Sequence, residues 1–206
     1  MITHTGMIHR MLFPSLVWRM PSQKIFLTFD DGPHPAATPL VLDVCKKMNI
    51  RATFFLTGKN IPGNEQIVRR IVEEEHSIGI HAYTHTRTLA FSKERTKEEI
   101  LKTQHLLQSM TNQKIRLFRP PFGFFSWNTI AAAKELNFVL VMWSCLTGDF
   151  RNWSDDKIVS TAISKLRKGS ILVFHDNDLT FHKITNVLNR TITEIQHLGF
   201  EFGAIR

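Results

Sequence analysis

Apolar residues along this chain fall into short runs separated by amphipathic stretches. Runs at 25–29 (IFLTF), 52–58 (ATFFLTG), 77–81 (SIGIH), 115–118 (IRLF), 138–144 (FVLVMWS), 171–175 (ILVFH) and 200–205 (FEFGAI) are rich in β-branched and aromatic residues. They read as seven buried strands. Between them the apolar period becomes that of a helix. At 38–48, Leu40, Val41, Val44, Cys45 and Met48 share one face; at 65–75, Ile67, Val68, Ile71 and Val72 do. Thr96 and Glu99 form a capping-box pattern that opens a helix through about Met110. Ser126 caps a helix over 126–136, Ser154 caps one over 154–169 that closes on Gly169, and a last helix spans 180–199. Strands alternating with helices predict an α/β fold whose parallel sheet is covered by helices. The pattern alone leaves open whether that sheet is doubly wound or closed as a barrel.

Polar residues narrow the choice. Asp30 and Asp31 follow the first expected strand, His81 and His85 the third, Arg119 the fourth and Asp149 the fifth, while His175 closes the sixth. In a parallel barrel the C-terminal strand ends converge on one mouth. An open sheet gathers only the ends near its switch point. Five contributing strands favour a barrel-like closure.

These residues also pose a chemical problem. Adjacent carboxylates repel, and burial raises the cost of ionising both. A turn of Asp, Gly and Pro is the plain reading of "DDGP". The chemical reading places a cation there, so that one acid binds it and the other stays free beside it. "HAYTH" supplies His81 and His85 at i, i+4, a spacing that on a helical turn puts both rings on one side. Two histidines and a carboxylate, with positions left open, make a catalytic divalent-metal site.

Composition adds less. A chain of 206 residues, 43% of them hydrophobic, supports one core and one domain. The formal charge of +8 favours anionic partners such as acidic glycans or phospholipid surfaces. Nucleic acid is not expected, because the sequence has no zinc finger, RNA-reading signature or block of basic residues. Cys45 and Cys145 sit in apolar stretches and read as core. No run reaches the length of a membrane span. Residues 1–23 are expected to form an N-terminal extension packed on a domain spanning 24–206. Within it, segment 9–21 has a short apolar core broken by Pro14 and no small-residue cleavage site, so no signal peptide is read. Trp18 between Arg10 and Arg19 suits peripheral contact with a membrane interface. A cytoplasmic or peripheral-membrane location follows as the expectation; oligomeric state is not legible.

"TFDDGP", "HAYTH", "RPPFG", "WSCLTGDF" and "ILVFHD" occur in the order, and with about the spacing, of the polysaccharide deacetylases. These are the NodB-homology domains, the fourth class of carbohydrate esterases. From about Lys24 to its C-terminus the chain resembles that family. The resemblance implies a distorted (β/α) barrel with about seven parallel strands. It implies a hydrolase that removes N-acetyl, or O-acetyl, groups from an acetylated amino-sugar glycan. It also implies a divalent cofactor, zinc first, with cobalt, manganese or nickel as alternatives. Carried over by motif, Asp31, His81 and His85 bind the metal, and Asp30 is the general base toward the attacking water. Arg119 orients Asp30, and the backbone N–H of Phe122 helps bind the oxyanion. His175 is the general acid and Asp149 its carboxylate partner. The chain departs from the family pattern at Ala82 (usually Ser or Thr), Leu146 (often Asp), Phe150 (usually Trp) and Val173 (usually Leu). These changes bear on the acetyl pocket rather than on the metal set. Two alternatives stand beside this reading: a deacylase of a lipid-linked amino sugar, and an inactive carbohydrate-binding module that kept the fold. No G-x-S-x-G elbow offers a serine nucleophile. Trp153 reads either as a sugar-stacking platform or as loop packing, Asp176 and Asp178 as turn formers, and His34 as a surface residue.

Overall fold

In the computed structural model, which describes residues 4, 5 and 7–206, seven strands form one sheet. They are β1 (Phe26–Asp30), β2 (Thr53–Leu56), β3 (Ser77–Ile80), β4 (Leu117–Phe118), β5 (Val139–Leu140), β6 (Cys145–Leu146) and β7 (Ile171–His175). Their spatial order is β5-β4-β3-β2-β1-β7-β6, and every pairing is parallel. The helices are α1 (Met7–Leu12), α2 (Ala37–Lys47), α3 (Glu65–Glu73), α4 (Lys93–Gln108), α5 (Trp127–Glu135), α6 (Asp155–Ile163) and α7 (Ile184–His197). Strand β1 lies between β2 and β7, and all its residues are buried. Phe29 of β1 stacks on Phe54 of β2 at 5.1 Å and meets Phe174 of β7 at 6.1 Å. Each fully buried phenylalanine contributes about 1.5–3 kcal/mol. Cys45 and Cys145 are both buried and free.

Strands β5 and β6 are neighbours in sequence yet form opposite edges of the sheet. A flat sheet of seven strands would hold its edges about 29 Å apart, at roughly 4.8 Å per step. The chain from Leu140 to Cys145 reaches at most about 18 Å. The sheet therefore curls into an incomplete barrel, and the strand ends converge as the polar residues require. Residues near the N-terminus fill the seam. The Val17 N–H donates to the Leu140 carbonyl at 2.8 Å, the Met142 N–H to the Val17 carbonyl at 2.7 Å, and the Met20 N–H to the Gly169 carbonyl at 2.9 Å. Leu16 and Trp18 join the core. Trp18, which by sequence suited a membrane interface as an alternative to packing on the domain, is 5% exposed, and its Nε1–H donates to the Phe13 carbonyl.

Other expectations shift for physical reasons. Residues 200–205 do not form the seventh strand; only Ile25 and Phe202 make an isolated bridge. Both sides of β1 are already taken, so no free edge remains for a further strand there. The seventh strand is β6, which lies just past the run expected at 138–144, and of that run only Val139–Leu140 pairs as β5. Helix α4 starts before Thr96, capped by the Ser92 side chain accepting from the Arg95 N–H. Thr96 is buried, and its hydroxyl donates to the Leu89 and Ser92 carbonyls. Helix α6 stops at Ile163. Gly169 instead leads into β7 at φ 78°, with its N–H donating to the Lys24 carbonyl.

Candidate active site

Asp30 ends β1, His81 follows β3, Arg119 follows β4, Asp149 follows β6 and His175 ends β7. The curl brings them together. Asp31 Oδ1 lies 3.0 Å from His85 Nε2 and 3.7 Å from His81 Nε2. One donor atom from each of Asp31, His81 and His85 falls within 4.8 Å of the others. Ligands of a tetrahedral ion at about 2.1 Å sit about 3.4 Å from one another, so this spacing suits one metal ion. The donor chemistry agrees. His81 Nδ1 lies 2.7 Å from the Arg119 carbonyl, which can only accept, so Nδ1 carries the proton and Nε2 keeps its lone pair. Burial lowers the His81 pKa against the pull of Asp30 and Asp31, which favours the neutral ring that a metal needs. Burial would raise the Asp31 carboxyl. The bond to His85 and the nearby charges of His175 and His81 outweigh it and hold the carboxyl below the usual range.

The loop carrying the two histidines is not helical, contrary to the spacing argument. Ala82 (φ 63°) and His85 (φ 57°) take left-handed conformations, and the rings meet at 5.0 Å. Asp31 (φ 84°) and Phe122 (φ 59°) are also left-handed. Such residues cost about 1–3 kcal/mol each and gather where surrounding structure imposes function. Here that structure includes Glu99, which the sequence offered only as part of a capping-box pattern. Glu99 Oε2 accepts from the Tyr83 and Thr84 N–H groups at 2.8 and 2.7 Å, and Oε1 accepts from the Thr84 hydroxyl at 2.9 Å. Gly58 completes the support. Its N–H donates to the Ala82 carbonyl at 2.9 Å, and a Cβ there would stand 2.5 Å from the Tyr83 ring.

Two buried pairs flank the donors. Arg119 is wholly buried. Its Nη1 donates to Asp30 Oδ1 and to the Thr28 hydroxyl, each at 2.7 Å, while Nε and Nη2 donate to the Val141 and Met142 carbonyls. This leaves Asp30 Oδ2 as the free carboxylate atom, 4.0 Å from His81 Nε2. His175 Nδ1 lies 2.8 Å from Asp149 Oδ1, and the His175 N–H donates to Oδ2 at 2.7 Å. Burial would lower the His175 pKa; the Asp149 carboxylate outweighs it and, with Asp31 and Asp30, lifts it to about 9.

Two further residues escaped the sequence reading. Asn177 Nδ2 donates to Asp31 Oδ2 at 2.7 Å and so aims the carboxylate. Asp176, expected as a turn former, is wholly buried and accepts from the Gly32 N–H at 3.1 Å and the Thr38 hydroxyl at 2.5 Å. It ties the DDG turn to the end of β7. Burial, with Asp31 nearby, raises its pKa to about 8 despite those bonds. His34 is a local brace: Nδ1 accepts from the Ala36 and Ala37 N–H groups.

A cavity of about 420 Å³ holds Asp30, Asp31, His81, His85 and His175 on its wall. Phe122, Trp143, Leu146 and Phe150 supply the apolar remainder. Leu146 and Phe150, two of the departures from the family pattern, thus face the space where substrate would sit. Phe150 meets the His175 ring edge to face at 5.0 Å. Val173 is buried within β7 and does not line the cavity. The Phe122 N–H makes no backbone hydrogen bond among the described residues. Trp153 packs against the core, with its ring over Gly148 and Arg151 4.7 Å above it. A second, polar cavity of about 480 Å³ lies on the other side of Asp31 and His85, lined by Lys59, Asn60 and Asn64.

The chain as a whole is similar to known proteins. The family model for polysaccharide deacetylases matches residues 19–141. A peptidoglycan-N-acetylglucosamine deacetylase of Bacillus cereus is 36% identical over 152 residues, which cover 74% of this chain and 55% of that protein. The chain thus spans about half the length of that curated relative. A chitooligosaccharide deacetylase of Bradyrhizobium is 30% identical over 192 residues, covering 87% of this chain and 88% of that one. Among solved structures, a peptidoglycan N-acetylglucosamine deacetylase in complex with 4-naphthalen-1-yl-N-oxidanyl-benzamide superposes with a TM-score of 0.89 at 29% identity, covering 98% and 95% of the two chains. With a matching family model over more than half its length and these relatives, the chain belongs to the polysaccharide deacetylase family.

Proposed function

We propose that the chain is a metal-dependent hydrolase that removes the N-acetyl group from an amino sugar within a glycan such as peptidoglycan or a chito-oligosaccharide. One observation carries the reading. Asp30, fixed by Arg119, and His175, fixed by Asp149, line the same cavity as the Asp31, His81 and His85 donors. A binding module would need neither pair.

Asp31, His81 and His85 would hold the metal, and zinc suits a mixed nitrogen and oxygen set with three protein ligands. When bound, the ion supplies Lewis acidity, which lowers the pKa of water and polarises the acyl carbonyl. Asp30 Oδ2 takes the proton of the attacking water, because Oδ1 is committed to Arg119. As the water oxygen bonds to the acyl carbon, negative charge gathers on the former carbonyl oxygen, where the Phe122 N–H can donate. His175 is charged at neutral pH and gives its Nε2 proton to the departing nitrogen as the C–N bond breaks. Acetate and a free amine result. Asp149 keeps the imidazolium charged and oriented. Trp143, Leu146 and Phe150 exclude water around the acyl methyl.

Acetate release from chito-oligosaccharide and from isolated peptidoglycan tests the reading, with a chelator and then with zinc restored. Activity lost to the chelator and regained with zinc is expected. No release from either glycan in the zinc-loaded protein would refute it.

A further inference from the structure

Beside the cavity mouth runs a ridge of apolar side chains that the proposed hydrolysis does not use. Phe91 is 70% exposed and Trp127 74%; on α1, Met11 is 74% exposed. Phe91 and Trp127 are joined through the start of α5, and Met11 lies two residues before Phe13, which packs on Trp127. Phe91 meets Phe124 at 5.9 Å, and Phe13, which follows α1, lies 5.9 Å from Trp127. The Phe91 carbonyl accepts from Asn128 Nδ2 at 3.1 Å, and the Ala90 carbonyl accepts from the Ser126 hydroxyl. These bonds fix the Phe91 turn against the start of α5. At its other end the turn carries Arg87, which lies 4.6 Å over the Phe122 ring at the cavity mouth.

Contiguous apolar exposure of this kind marks an interaction site. Side chains this exposed project from the surface instead of lining a cleft, so the ridge suits a soft partner that closes around it. Charge indicates which. Residues 87–95 carry three cations, Arg87, Lys93 and Arg95, against one acid, Glu94, in a chain of net charge +8. Lys93 is shared with Glu135; among the described residues Arg87 and Arg95 are in no ion pair. Projecting tryptophan and phenylalanine with cations beside them match the headgroup layer of a membrane, where apolar rings enter and cations meet anionic lipid.

We propose that this ridge docks the protein on the anionic face of a phospholipid membrane, with Phe91, Trp127 and Met11 entering the headgroup layer. The cavity mouth then lies at the edge of the docked surface. Met11 lies in segment 9–21, which the sequence offered as an alternative peripheral contact, but Trp18 of that segment is buried and Trp127 takes the exposed position.

The test uses the whole chain with vesicles of phosphatidylcholine alone and of phosphatidylcholine mixed equally with phosphatidylglycerol. Co-sedimentation and tryptophan emission are the readouts, both independent of the proposed hydrolysis. Binding to the mixed vesicles with a blue shift is expected, and binding at least about tenfold weaker on the neutral ones. The double variant Phe91→Ser, Trp127→Ser should lose at least about tenfold in binding at an unchanged unfolding midpoint. Should it unfold, the single variants Trp127→Ser and Met11→Ser are measured instead. Wild-type binding in the variants, equal binding to both vesicles or no vesicle binding would each overturn the proposal. Self-association abolished by the same substitutions, without vesicle binding, would overturn it in favour of a second copy of this chain.

Discussion

Replacing Glu99 by alanine removes the acceptor of three hydrogen bonds to the loop between His81 and His85. A bond to a charged acceptor contributes about 1.5–3 kcal/mol. Three give a ceiling of about 4.5–9 kcal/mol. Tyr83 and Thr84 are only half-buried, so water replaces part of this and about 2–4 kcal/mol of loop ordering is lost. A metal that binds only the ordered loop must then supply that ordering. Supporting partners of metal ligands typically cost 10–100-fold in affinity when removed, so Glu99→Ala should bind zinc about 10–100-fold more weakly. Glu99→Gln keeps an acceptor for the two N–H groups and loses charge assistance, about half the strength of each bond. It should fall between wild type and alanine. Competition against a chromophoric chelator measures the affinity, and acetate release at saturating zinc should return near the wild-type rate. Wild-type zinc affinity in a folded Glu99→Ala protein would refute the reasoning. If the alanine variant does not fold, the glutamine variant carries the test.

Elemental analysis of His81→Ala should show metal and activity lost together. Asp30→Asn should keep its metal while turnover falls on the order of a hundred- to ten-thousand-fold, because Asp30 is assigned as the base and not as a ligand. His175→Ala should abolish hydrolysis of an N-acetyl sugar and largely spare an activated aryl acetate, whose leaving group needs no proton; equal losses on both would defeat the general-acid assignment. The His175 pKa is raised, so activity should fall as pH rises through its ionisation, at or below about 9 because a cation on Asp31 cancels part of that carboxylate's pull. Asp149→Asn removes the largest raising contribution and should move this basic limb to lower pH in a measured rate profile.

Much of this site was legible in sequence because its side chains sit on or just after strand ends. An apolar run that stops at a polar residue is a local signal, and Asp30, Asp31, His81, Arg119, Asp149 and His175 each carry it. Helix caps at Ser126 and Ser154 were legible for the same reason: the cap and the N–H that donates to it lie within one turn. What tertiary structure alone decided is the pairing of residues far apart in the chain. Whether residues 138–146 make one strand or two depends on edges supplied by β4 and β7, since hydrophobicity is the same either way. Local sequence leaves Trp18 either at an interface or in a packed extension, and the seam beside β5 buries it. Glu99 looks like half of a capping box, yet its carboxylate serves a loop fifteen residues earlier. Asn177 reaches Asp31 only because β1 and β7 are adjacent. Local sequence determines which groups a strand end presents; the curl of the sheet determines which of them meet, because long-range contact depends on the packing of the whole core.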